Sequence, residues 1–280
     1  MKRVLIIIIS TILICLIGLG IIGYYVEKDK STEKNDVKTE EKVEQVIEEE
    51  KLEVNIDKFD ISKIEGYTPG QDLVDDNSDE DNQEGTTVGG INLPYSLLYK
   101  NMEIMSIGKY SGKFIEDGMD SNKDNILAII VKNTSEEVID YGEINMRIKG
   151  KSDKIKFELT NLKPGACALI MESSGSIEFN PDDKYIYFSS RNNMVSELST
   201  MDSQIDINTE DKKITVKNLG EENLDTVYVY YKTISPGNCY LGGITYRAKF
   251  ENVEVGKSVS VNTLHFNNTN SEILKVESAK

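Results

Sequence analysis

Val131-Lys132-Asn133-Thr134-Ser135-Glu136-Glu137-Val138-Ile139-Asp140 returns as Val216-Lys217-Asn218-Leu219-Gly220-Glu221-Glu222-Asn223-Leu224-Asp225. The offset is 85, and six of the ten positions are identical. Downstream, Lys156-Phe157-Glu158 matches Lys249-Phe250-Glu251, and Asn161-Leu162-Lys163-Pro164-Gly165 matches Asn252-Val253-Glu254-Val255-Gly256. The blocks keep their order, with small differences in spacing. Self-similarity of this kind marks a tandem duplication.

Each copy carries strand chemistry. Ile126 to Val131 is a short apolar run that ends in an Asn-Thr-Ser turn. Ile144, Met146 and Ile148 alternate with Glu143, Asn145 and Arg147. In the second copy Val227, Val229 and Tyr231 alternate with Tyr228, Tyr230 and Lys232. Ser258-Val259-Ser260-Val261 follows Gly256 with the same period of two. Such patterns bury one face and wet the other, as in antiparallel sheets. No segment after residue 90 holds a helical period. The expected fold is therefore all-β: two tandem small antiparallel β-sandwich modules, at 91–195 and 200–280.

Each repeat resembles the small Ig-like sandwich modules of Gram-positive surface proteins, such as the FxLYD-type domain. The matching features are a strand ending Val-Lys-Asn, a polar turn, an alternating strand, and Leu162-Lys163-Pro164-Gly165 before the next strand. The family's Phe-x-Leu-Tyr-Asp string is absent, since Phe157-Glu158-Leu159 is followed by Thr160. The resemblance implies an Ig-like fold and an extracytoplasmic setting, and it implies no activity.

Ahead of the repeats lie two segments of different character. Residues 4–26, VLIIIISTILICLIGLGIIGYYV, hold no charge. As a helix they reach about 34 Å, enough to cross a hydrocarbon core of about 30 Å. Tyr24 and Tyr25 stand at the outer end, and Lys2 and Arg3 precede the run. Residues 1–26 are thus expected to be a single-pass anchor whose partner is membrane lipid. The run is too long for a signal peptide and lacks a small-x-small cleavage site. The short basic start places the C-terminal part outside the cytoplasm, although Lys28, Lys30, Lys34 and Lys38 argue the other way.

Residues 27–84 hold 21 acidic residues against 8 Lys, whereas 85–280 hold 27 against 22 basic ones. Most of the chain's net charge of −16 therefore belongs to this segment. Its Gly, Pro, Asp and Asn content at 66–90 suits a flexible tether, so 27–90 is expected to be an acidic linker. Asp75, Asn77 and Asp79 open like a calcium loop. Glu80 then stands where Gly is needed and Thr86 where a bidentate Glu is needed. No metal site is expected there.

The composition excludes several functions. A chain this acidic has no basic footprint for nucleic acid. One His and three Cys rule out a His-rich metal centre and a disulfide-dense scaffold. There is no phosphate-binding Gly loop and no Gly-x-Ser-x-Gly, so no cofactor is expected. The Ser-x-x-Lys matches at Ser31 and Ser106 lack their companion motifs.

Cys239 and His265 are the candidate nucleophile and base of the alternative reading, an envelope cysteine enzyme. Sortase transpeptidases carry His, then Cys, then Arg, whereas this chain runs Cys239, Arg247, His265 and lacks Thr-Leu-x-Thr-Cys. Cys167 and Cys239 occupy different places in the two repeats and are read as separate thiols. The leading reading is a non-catalytic interaction protein whose partner is an envelope protein or a cell-wall component. Glu143 and Asn145 of the first copy correspond to Tyr228 and Tyr230 of the second. In a strand these lie opposite the core, so Tyr228 and Tyr230 are the expected partner-binding or module-contacting residues.

Overall fold

Three short apolar strings, around Ile64, Val88 and Ile91, enter the fold ahead of the repeats. The computed structural model describes residues 52–73, 86–97, 101–152 and 154–279. Residues 4–26 and the Asp75–Asp79 segment lie outside the described residues. No described helix is long and apolar enough to cross a membrane.

The described chain is all-β apart from short 3-10 turns. The strands before the first repeat block are β1 (Tyr67–Pro69), β2 (Thr86–Val88), β3 (Ile91–Leu93), β4 (Tyr95–Ser96) and β5 (Met102–Phe114). The first copy continues with β6 (Ser121–Asn133), β7 (Val138–Ile148), β8 (Lys154–Leu162), β9 (Cys167–Met171) and β10 (Tyr185–Val195). The second comprises β11 (Ile205–Glu210), β12 (Lys213–Asn218), β13 (Leu224–Ile234), β14 (Tyr240–Val253), β15 (Ser258–Asn262) and β16 (Ser271–Ala279).

Strand order repeats with the sequence. β7 is the middle strand of β10-β7-β8, and β13 stands between β16 and β14. β6 lies between β5 and β9 as β12 lies between β11 and β15. These pairings are antiparallel. In the first copy, Ile104, Ile107, Leu127, Ile129 and Val131 share one apolar cluster with Ile144, Met146, Ile155 and Phe157. In the second, Ile214 and Val216 cluster with Val227, Val229, Ala248, Phe250 and Val276. Facing sheets thus bury their inward residues against one another, the arrangement of a sandwich.

The repeated Asn explains why this block is the most similar. Asn133 is buried. Its Nδ2 donates to the Glu137 carbonyl at 2.8 Å and to the Leu162 carbonyl at 2.9 Å. Its Oδ1 accepts from the Ser135 N–H at 3.0 Å. Asn218, also buried, donates to the Glu222 and Val253 carbonyls at 2.8 and 2.9 Å and accepts from the Gly220 N–H at 2.8 Å. The backbone bonds recur as well: Gly165 N–H to Asn133 and Gly256 N–H to Asn218, both 2.9 Å. One side chain therefore closes its own turn and ties it to the end of the next sheet's strand. An amide supplies both donors and acceptor, which no apolar residue can replace.

The structure differs from the sequence expectation at two boundaries. Residues 52–73, assigned above to the linker, pack on the body. Ile64 and Tyr67 are buried, β1 pairs with β5, and the Asp60 N–H donates to the Gly237 carbonyl of the second copy at 2.9 Å. Val88 is buried too, so 86–90 also belongs to the body. Acidic composition hid a thin apolar series, Phe59, Ile61, Ile64 and Tyr67, that covers the sheet. Second, strand pairing crosses the 195–200 boundary. β9 runs parallel to β14 through Ala168 opposite Tyr240 and Leu169 opposite Leu241. This joins both halves in one eight-stranded sheet, ordered β1-β5-β6-β9-β14-β13-β16 with β4 beside β5. Residues 50–280 cluster as a single compact unit.

Gly243 sits where the halves meet. A Cβ added there would lie 1.8 Å from the Glu158 carbonyl oxygen, so only glycine allows β14 to pass β8. The parallel pairing is short and leaves backbone donors over. Glu116 takes them: its carboxylate accepts from the N–H groups of Met171 at 3.0 Å, Gly243 at 2.9 Å and Ile244 at 3.2 Å. The buried Lys232 Nζ donates to the Gly243 carbonyl at 2.6 Å and the Gly242 carbonyl at 3.3 Å. Burial pulls the Lys232 ammonium down to about 8 and raises the Glu116 carboxyl, the latter opposed by its three N–H donors.

Candidate functional site

β13 builds the site from its alternation. Val227, Val229 and Tyr231 point inward and are buried, as are Ile144, Met146 and Ile148 of β7. Tyr228 and Tyr230 stand on the opposite face, half-buried. Lys232 was expected on that face as well, but the structure turns it inward. Register shifts after Tyr230 on the β16 side and after Tyr231 on the β14 side form a bulge, so Tyr231 and Lys232 are both buried. An extra residue in one strand breaks the period of two.

The neighbouring strands surround the two rings with charge. Tyr228 lies opposite Lys249 and Glu277, and Tyr230 opposite Arg247 and Lys275. The ring centroids are 6.4 Å apart and tilted by 48°. The Arg247 guanidinium lies 4.6 Å from the Tyr228 centroid, and the Lys275 Nζ lies 5.6 Å from the Tyr230 centroid. Such contacts hold the cations over the rings. Burial, then the Glu277 carboxylate, keeps the Tyr230 hydroxyl above its usual pKa, so it stays a neutral donor. Lys275 pairs with Glu277 at 2.5 Å and with Asp140 of β7 at 3.7 Å, and Lys249 pairs with Glu251. Among the described residues no carboxylate pairs with Arg247. The face thus offers two hydroxyl-bearing rings and one cation without an ion pair.

The matching face of the first copy is closed on itself. Glu143 accepts from Arg191 Nη2 at 2.7 Å and from Asn145 Nδ2 at 2.8 Å. The Tyr141 hydroxyl lies 3.1 Å from Glu143 and 3.0 Å from Glu158. The Asn145 bond, followed by Arg191, holds the Glu143 carboxyl down at about 2.

The structure does not bring Cys239 and His265 together. Cys239 is fully buried and its Sγ donates to the Tyr240 carbonyl at 3.4 Å. Burial raises its thiol well above the usual range, which is the reverse of what a nucleophile needs. The His265 Nδ1 pairs with Asp120 at 2.9 Å, and its ring stacks on Tyr246 at 4.5 Å. Cys167 and Cys239 are free thiols. Among the described residues no group of three His, Cys, Asp or Glu side chains is placed to hold a metal. A cleft of about 610 Å³ beside the Lys151–Asp183 pair has neither His nor Cys in its lining.

Sequence reading named Tyr228 and Tyr230 but not Arg247 and Lys275, which the structure sets beside them. The signal was present: Arg247-Ala248-Lys249-Phe250-Glu251 and Lys275-Val276-Glu277 alternate in the strand period, and pairing them with β13 required only the register. Glu116 left no signal, because it works from a loop onto distant backbone. No known family's model matches the chain, and comparison with curated proteins finds no match.

Proposed function

We propose that this chain is a membrane-anchored binding protein without catalytic activity, and that its ligand is an anionic cell-wall polymer. Residues 4–26 would hold it to the lipid, and the body would stand outside the cytoplasm as two copies of one small Ig-like module. The equal strand orders and the matching bonds of Asn133 and Asn218 support the duplication. The observation that carries the ligand is the Tyr228–Tyr230 face. In a chain of net charge −16 it sets Arg247, Lys249 and Lys275 against Glu251, Glu277 and Asp140, and Arg247 is the cation that no carboxylate pairs with among the described residues. A planar guanidinium suits phosphate or carboxylate, and flat rings suit sugar faces.

The test is co-sedimentation of the full chain with purified cell wall. Binding should weaken with salt and fall about ten-fold in Arg247→Gln, the scale of a lost charged hydrogen bond. Equal retention by wall stripped of anionic polymers would point to a protein or neutral partner and contradict the ligand assignment. Protease added to intact cells should digest the body; full protection in wall-stripped cells would reverse the topology.

A further inference from the structure

The sole contact between parallel strands among the described residues also brings two cysteines to the same end of the pairing. Ala168 pairs with Tyr240 and Leu169 with Leu241, so Cys167 and Cys239 are the residues that immediately precede this pairing on each chain segment, Cys167 opening β9 and Cys239 in the bend that leads into β14. The strands that the two cysteines lead into lie about 4.8 Å apart, inside the range of roughly 4.4–6.8 Å over which disulfides join two Cα atoms. Both side chains belong to one buried apolar cluster with Leu169 and Met171.

We propose that Cys167 and Cys239 are a disulfide-forming pair that staples the two halves of the body when the chain folds in the presence of a disulfide oxidant. The Cys167 thiolate attacks one sulfur of the external disulfide and expels a thiol. The Cys239 thiolate then attacks the Cys167 sulfur of the mixed disulfide and expels the second thiol. Two electrons pass to the reagent, and the two protons leave on the released thiols. Cys239 is wholly buried and Cys167 is 3% exposed in the folded body, so exchange belongs to folding, before β14 docks on β9. The pairing is independent of the ligand and of the Tyr228–Tyr230 face.

The full chain carrying Cys15→Ser is unfolded in denaturant, reduced, and refolded with oxidised glutathione. Peptides are then mapped without reduction after blocking free thiols. The expected product is a linked pair of peptides containing Cys167 and Cys239, with neither thiol blocked. Its melting midpoint should stand about 5–10 °C above that of the reduced chain, the shift expected for a staple closing a long loop. Dithiothreitol should abolish that difference, and Cys167→Ser or Cys239→Ser should show none. Recovery of both cysteines as free thiols or as separate glutathione adducts from a chain that has refolded would overturn the proposal.

Discussion

β7 and β13 hold the same place in their sheets, yet their outward faces differ. On β7, Glu143 is engaged by Asn145, Arg191 and Tyr141, so its charge is matched from within. On β13, Tyr228 and Tyr230 sit beneath Arg247 and Lys275, and Arg247 keeps its charge unpaired among the described residues. The inward residues, in contrast, are alike: Ile144 and Met146 against Val229 and Tyr231, all buried. Core and turn are held by packing and by the buried Asn, while the outer face is free to diverge.

The comparison breaks most severely at the junction, which neither copy contains alone. Glu116→Ala should leave the N–H groups of Met171, Gly243 and Ile244 without their acceptor. A loss of about 3–5 kcal/mol is expected by urea unfolding, the cost of orphaned buried donors. The equivalent Asn residues sharpen the comparison. Asn133→Ala and Asn218→Ala should each cost about 2–4 kcal/mol and agree with one another within about 1 kcal/mol. A large inequality would mean that the two turns are not equivalent supports.

Acid separates the faces further. The Glu143 carboxyl is held down at about 2, below the ordinary carboxylate value of 4.5. Its contribution is therefore complete above 4.5 and is lost as pH falls through 2. Partial solvent access limits this to about 1 kcal/mol. Urea midpoints measured from pH 5 to pH 2 should fall more steeply for the native chain than for Glu143→Gln. Parallel curves would remove the charge network from the account.

Much of this was legible in the sequence. The repeat announced itself because a buried amide that donates twice and accepts once has no apolar substitute, and Asn133 and Asn218 both stand in Val-Lys-Asn. The outward placement of Tyr228 and Tyr230 followed from the period of two. Lys232 was misplaced because a bulge is a feature of register, which depends on β14 and β16 rather than on β13. Residues 52–73 were hidden for a different reason: their apolar side chains are too few to outweigh an acidic average. The parallel β9–β14 contact links segments some seventy residues apart and rests on Gly243 and Glu116, neither of which belongs to a recognisable pattern.

The smallest expected effect on stability accompanies the largest on binding. Tyr228→Ser combined with Tyr230→Ser removes rings from an outward face, where cross-strand pairs contribute about 0.2–1 kcal/mol each. The measurement that bears most directly on the account is wall co-sedimentation of the full chain, this double variant, and Tyr141→Ser as the control on the first copy's face. The account predicts that the double variant melts within a few degrees of the native chain and no longer sediments with the wall, while Tyr141→Ser sediments as the native chain does. Undiminished sedimentation of a folded double variant, or equal loss in Tyr141→Ser, would contradict it.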